Sequence, residues 1–91
     1  MPEVYFTVQL PDGTQQQCYS PSTVVCSYFR QGEEMSVTDF VLRSRIALTE
    51  ASERVRAKYG FACGSAASQL AQIEHFSSTQ PGKGRVRILN I

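Results

Sequence analysis

Few side chains in this sequence could do chemistry: three cysteines (Cys18, Cys26, Cys63), one histidine (His75), and the cations Arg43, Arg45, Arg54, Arg56 and Lys58. A cysteine reacts as its thiolate, which neighbouring cations or a helix N-terminus favour. Cys63 meets that description, because it follows Lys58 and falls where a second helix should begin. Against a reactive thiol stands the more ordinary role of a small core residue between Ala62 and Gly64, since unpaired cysteine is among the most buried residue types. The core role carries the greater weight. A Cys63–His75 dyad is excluded within one continuous helix, where twelve positions amount to about 18 Å at the helical rise.

Arg43 and Arg54 share one face of a helix, as do Arg45 and Arg56, and with Lys58 they would line a basic strip for phosphate or carboxylate groups. Glu50 and Glu53 stand at pairing distance from Arg54 and Arg56, so a solvated surface of weak ion pairs is the favoured reading, each worth a few tenths of a kcal/mol. Tyr5, Tyr19, Tyr28 and Tyr59 do not read as paired strand aromatics with flanking cations, as a nucleic-acid stacking platform requires. Gly82-Lys83-Gly84 follows Pro81 and opens no helix, which leaves the requirement for cradling a phosphate unmet. Spacing shows no metal cluster, hydrolase triad or convergent carboxylates. No catalytic residue, cofactor or metal is therefore assigned.

The elements that must position these groups fit one domain, residues 1–91, since independent cores rarely form below about 50 residues. With 42% hydrophobic and 19% charged residues the chain is neither disorder-like nor membrane-like. The three cysteines form no Cys-x-x-Cys pair and read as free thiols in a reducing compartment. Residues 1–10 lack a secretory pattern, and no apolar run approaches the roughly 20 residues of a membrane span. The expectation is a soluble cytoplasmic protein without membrane contact. A net charge of +1 gives no reason to expect nucleic acid, while the acidic start and basic end suit a charged protein partner or a homodimer.

Val4, Phe6, Val8 and Leu10 alternate with Tyr5, Thr7 and Gln9, which predicts a half-buried strand. Pro11-Asp12-Gly13 turns it into a polar second strand from Thr14 to about Tyr19, suited to an edge. Ser22 can cap a short helix through Val24, Val25, Tyr28 and Phe29. Ser36-Val37-Thr38-Asp39 reads as a capping box with Met35 and Phe40 as its hydrophobic staple. From there an apolar stripe (Val37, Phe40, Val41, Ser44, Leu48, Ala51, Val55, Tyr59) predicts a long amphipathic helix, ended by Gly60 with Phe61 folding back on Val55. A further helix buries Leu70, Ile73 and Phe76. After the loop 77–84, Arg85 to Ile91 alternates as a last strand, with Val86 and Ile88 on one face and Leu89 and Ile91 on the other. The fold expected is α+β: hairpin, short helix, long helix, further helix and C-terminal strand, with a small antiparallel sheet of three strands packed on helices, and the last strand either central, the favoured placement, or an edge that pairs with a second copy.

Cys18-Tyr19-Ser20-Pro21-Ser22, Asp39-Phe40-Val41-Leu42-Arg43-Ser44-Arg45 and the run Ser52-Glu53-Arg54-Val55-Arg56-Ala57-Lys58-Tyr59-Gly60-Phe61-Ala62-Cys63 together resemble a family of short bacterial and cyanobacterial nitrogen starvation response proteins. Genes of that family usually sit in a cluster with a nitrilase, a radical SAM protein and an acetyltransferase. The resemblance runs from about Val4 to Ile73. It implies a non-enzymatic accessory or regulatory protein acting through a protein partner or itself, and it carries over no functional residue. The alternatives from the residues alone are a thiol-dependent enzyme centred on Cys63 and a weak nucleic-acid binder using the basic helix face.

Overall fold

The chain opens as a hairpin because its turn leaves little choice. The backbone of Leu10 donates to Thr14 at 2.7 Å, Gly13 donates back to Leu10 at 2.9 Å, and Asp12 accepts from the Thr14 amide at 2.9 Å. That closure sets β1 (Val4–Gln9) against β2 (Gln15–Ser20). The computed structural model describes residues 3–60 and 64–91. After β2, Ser22 caps a 3₁₀ helix, Thr23–Ser27, by accepting from the Val24 amide, as its sequence suggests. There follow β3 (Glu34–Ser36), α1 (Val37–Tyr59), α2 (Gly64–Ser78) and β4 (Arg85–Asn90). The strands form one antiparallel sheet in the order β2-β1-β4-β3.

The sheet thus has four strands where the sequence suggests three. The extra strand, β3, is three residues long and immediately precedes the helix cap, so no alternation could announce it. Pairing of Met35 with Val86 makes β4 central, as expected. One detail of β4 is corrected. Val8 pairs with Ile88 but Thr7 pairs with Asn90, so Leu89 is an extra, bulged residue. The bulge switches the faces beyond it, and Ile91 packs against the core that holds Val86 and Ile88 instead of lying on the opposite side.

α1 begins where the cap predicts, with Ser36 Oγ accepting from the Asp39 amide at 3.1 Å. Gly60, at φ 84°, supplies the left-handed residue that ends the helix and donates to the Arg56 carbonyl. Phe61, expected to fold back on Val55, lies outside the described residues, and Tyr59 is exposed. The rest of the stripe is buried or partly buried, including Val37, Phe40, Ser44, Leu48, Ala51 and Val55. Phe40 and Met35 both enter the core, which joins the inner sheet face to α1 and α2. A chain of rings runs through that core, Phe6 to Phe29 at 5.8 Å, Phe29 to Phe40 at 5.6 Å and Phe40 to Phe76 at 6.5 Å.

The loop before β4 has a structural task. Gly84 and Gly82 accept from the Val37 and Thr38 amides, two donors at the start of α1 that the helix itself cannot satisfy. Gly84 also lies tight against the hairpin turn, where an added Cβ would stand 2.5 Å from Pro11 Cγ. Gly84→Ala is therefore expected to push the loop off both the turn and the helix start, at a cost of about 1–3 kcal/mol. Chemical denaturation monitored by circular dichroism measures it, and unchanged stability would contradict this packing.

Candidate functional site

The cations of α1 do not form a free basic strip. Arg43 turns back to fasten α1 to the segment before β3. Its Nη1 donates to Glu33 Oε2 at 2.9 Å and to the Tyr28 carbonyl at 3.3 Å, while Nη2 meets Asp39 Oδ2 at 2.9 Å. The guanidinium holds the Glu33 carboxyl below its ordinary range. Arg45 bridges to Glu74 of α2 at 2.6 Å, and Arg54 stands 3.9 Å from Glu50, whose other oxygen accepts from the Tyr28 hydroxyl at 2.7 Å. That hydrogen bond raises the Tyr28 pKa. The expected Glu50–Arg54 pair is present, whereas no ion pair joins Glu53 to Arg56 among the described residues. Arg56 is exposed near the helix end, and the Lys58 ammonium lies 5.6 Å from the Tyr59 ring. Three of the five cations therefore serve intramolecular pairs.

Cys63 lies outside the described residues, and with it the reactive-thiol expectation. Of the other cysteines, Cys18 is buried on the inner sheet face and burial pushes its thiol pKa up to about 12, which leaves almost no thiolate near neutrality. Cys26 is exposed on the 3₁₀ helix. His75 is exposed in the last turn of α2. Among the described residues no cluster of His, Cys, Asp and Glu is placed to hold a metal, and no helix is long and apolar enough to cross a membrane.

The uncovered face of the sheet brings together what single-residue reading kept apart. Both helices lie on the side of Phe6, Val8, Val86 and Ile88, so Tyr5, Thr7 and Gln9 of β1 face outward beside Tyr19, Gln17 and Gln15 of β2. Tyr5 and Tyr19 are direct cross-strand partners with ring centroids 5.4 Å apart, and Tyr5 is 57% exposed. This corrects the expectation that no strand aromatics pair. The signal was present in the turn, since a hairpin closed on Leu10 and Thr14 sets Tyr5 opposite Tyr19. Toward the other end of the face, Arg85 and Arg87 line a shallow recess of 370 Å³ with Glu34, Gln9 and Pro11. Arg87 stands 3.7 Å from Glu34, and Arg85 makes no ion pair among the described residues. Leu42 and Ile46, one turn apart on the outer face of α1, are also exposed as a small apolar pair.

The fold and this face define a two-layer α+β protein, one side of its sheet roofed by helices and the other left uncovered by the described residues. A family model described as nitrogen starvation-induced protein NitG matches residues 5–91, and the chain belongs to that family. Neither the curated proteins nor the solved structures offer a match.

Two measurements check the geometry. Arg43→Met should lose about 1–2 kcal/mol of stability at neutral pH, the scale of a partly exposed ion pair strengthened by charge-assisted hydrogen bonds. Because the Glu33 carboxyl is held below its ordinary value, its share of that stability is present above the carboxylate range and fades as the pH falls through it. Urea titrations of both proteins should thus differ at neutral pH and converge only in acid, once the pH has fallen through the depressed Glu33 value. In thiol labelling of the folded protein at neutral pH, Cys26 should react fast and Cys18 only on denaturation, and fast labelling of Cys18 would contradict its burial.

Proposed function

We propose that this chain, acting as one domain, is a non-catalytic accessory protein of the nitrogen-starvation response, and that it works by holding a protein partner against the uncovered sheet face. The observation that carries the reading is the pairing of Tyr5 with Tyr19 on the same bare face as Arg85 and Arg87. Tyrosine and arginine are the side chains that most often anchor protein interfaces, because each offers a large contact area with a polar end. With Arg85 free of any described ion pair and Lys83 close by in sequence, the partner this face suits is one presenting carboxylates.

Two rivals are weaker. Nucleic-acid binding through α1 loses its basis once Arg43, Arg45 and Arg54 are paired with acids. A net charge of +1 also favours protein over a polyphosphate backbone. A thiol enzyme centred on Cys63 has no support from the described residues, whose His75 is twelve positions further along the chain.

The test uses tagged protein as bait in extracts of nitrogen-starved cells, comparing wild type with a Tyr5→Ser, Arg85→Glu variant of unchanged fold. A partner retained by the wild type and weakened about tenfold or more in the variant is expected, as for loss of interface anchors. Equal retention by both, or salt-sensitive binding of single-stranded nucleic acid with no protein captured, would overturn the reading.

A further inference from the structure

The sheet has two edges, and they are built differently. β3 is three residues long, carries Glu34 and is flanked by Glu33 and Arg30, the charged and short construction that blocks strand addition. β2 is six residues long and has no charge at all. Residues 13–29 contain no Asp, Glu, Lys or Arg, and neither do residues 64–73, most of α2 beside that edge.

The backbone of β2 is open for pairing at the exposed Gln15 and Gln17, while Tyr19 is engaged by α2. Leu10 bonds to Thr14 and the Tyr19 amide bonds away from β1 to Gln69 Oε1 at 3.0 Å, so by strand alternation the amides and carbonyls of Gln15 and Gln17 also point away from β1. Gln69 is 8% exposed, its Oε1 is committed to Tyr19, and its Nε2 donor has no partner. Gln69 thus closes the edge at Tyr19, and the stretch left for pairing is Gln15 to Gln17. Along the inner side of the edge runs a groove of 490 Å³ lined by Gln16, Ser68, Ala71, Gln72, His75 and Phe76.

We propose that β2 pairs antiparallel with β2 of a second copy of this chain, about a two-fold axis at Gln16. Gln15 of one copy then exchanges main-chain hydrogen bonds with Gln17 of the other, and Gln16 meets its own counterpart. A two-fold interface sets each group near the axis against its own copy, so any charge there would face a like charge. The uncharged β2 and α2 flank avoids that penalty, while a charged partner would find nothing there to pair with. The small Ser68 and Ala71 let the two α2 helices approach across the seam. This contact uses the edge and groove, not the Tyr5 and Arg85 face, so it stands apart from the partner reading above.

Sedimentation of the intact chain across about 1 to 500 µM should show mass rising from 10.1 kDa toward twice that value. Gln16→Lys and Ala71→Glu should each sediment as monomers with unchanged circular dichroism. An equimolar mixture of Gln16→Lys with Gln16→Glu should recover the dimer, since opposite charges then meet on the axis. Hydrogen exchange at the Gln15 and Gln17 amides should slow with rising concentration in the wild type alone. A wild type monomeric throughout, or dimers that survive both substitutions, or a mixture that stays monomeric, would each overturn the proposal. Capture of a partner by a monomeric wild type would leave the sheet-face reading standing while this one fails.

Discussion

Four phenylalanine rings in series hold this protein together. A small antiparallel sheet cannot bury its own apolar side, and it persists only if a helical layer is pinned to it. Phe6 presents the sheet, Phe29 follows the 3₁₀ helix, and Phe40 and Phe76 belong to α1 and α2, with neighbouring centroids 5.6 to 6.5 Å apart. Each contact joins segments remote in sequence, so the chain of rings fixes the layers relative to one another. In a chain without tryptophan these rings carry much of the buried aromatic surface.

Everything exposed follows from that one-sided roof. Because both helices are spent on the inner face, the outward residues of four strands are left uncovered by the described residues, and the β2 edge is closed by α2 only at Tyr19. The charged side chains then divide by task. Arg43, with Glu33 and Asp39, and Arg45, with Glu74, are clamps that tie loops and helices onto the core. Arg85 and Arg87 project from the central strand onto the bare face, where no clamp is needed. Chemically similar side chains thus do structural work on α1 and stand exposed on β4.

What the sequence made legible was local. Alternation in β1, the Pro11-Asp12-Gly13 turn, the Ser36 cap and Gly60 each act within a few residues, and all four stand where their chemistry says. What it hid was register between distant segments. β3 exists only because residues 34–36 meet β4, and the bulge at Leu89 appears only when β4 is laid against β1. The partners of Arg43 all precede it in sequence, and only Asp39, at the helical i,i+4 spacing, could be read from the pattern; Tyr28 and Glu33 lie beyond the start of the helix. The face with Tyr5, Tyr19, Arg85 and Arg87 needed both kinds of information, since the hairpin sets the first pair and the placement of β4 supplies the second.

The open face and the open edge also have a geometric consequence in common. Strand addition at β2 continues the sheet instead of capping it, so two bare faces would become one surface crossing the seam. Tyr19 lies on β2 itself, which sets the aromatic pair of each copy nearest the junction and the arginine recess of each toward the far side. A partner with two acidic segments could then engage both recesses, and the second contact would form at the high effective concentration set by the first. A weak edge contact between copies would in this way strengthen binding on a face it never touches, because the sheet that the phenylalanine chain holds in place would be shared by both.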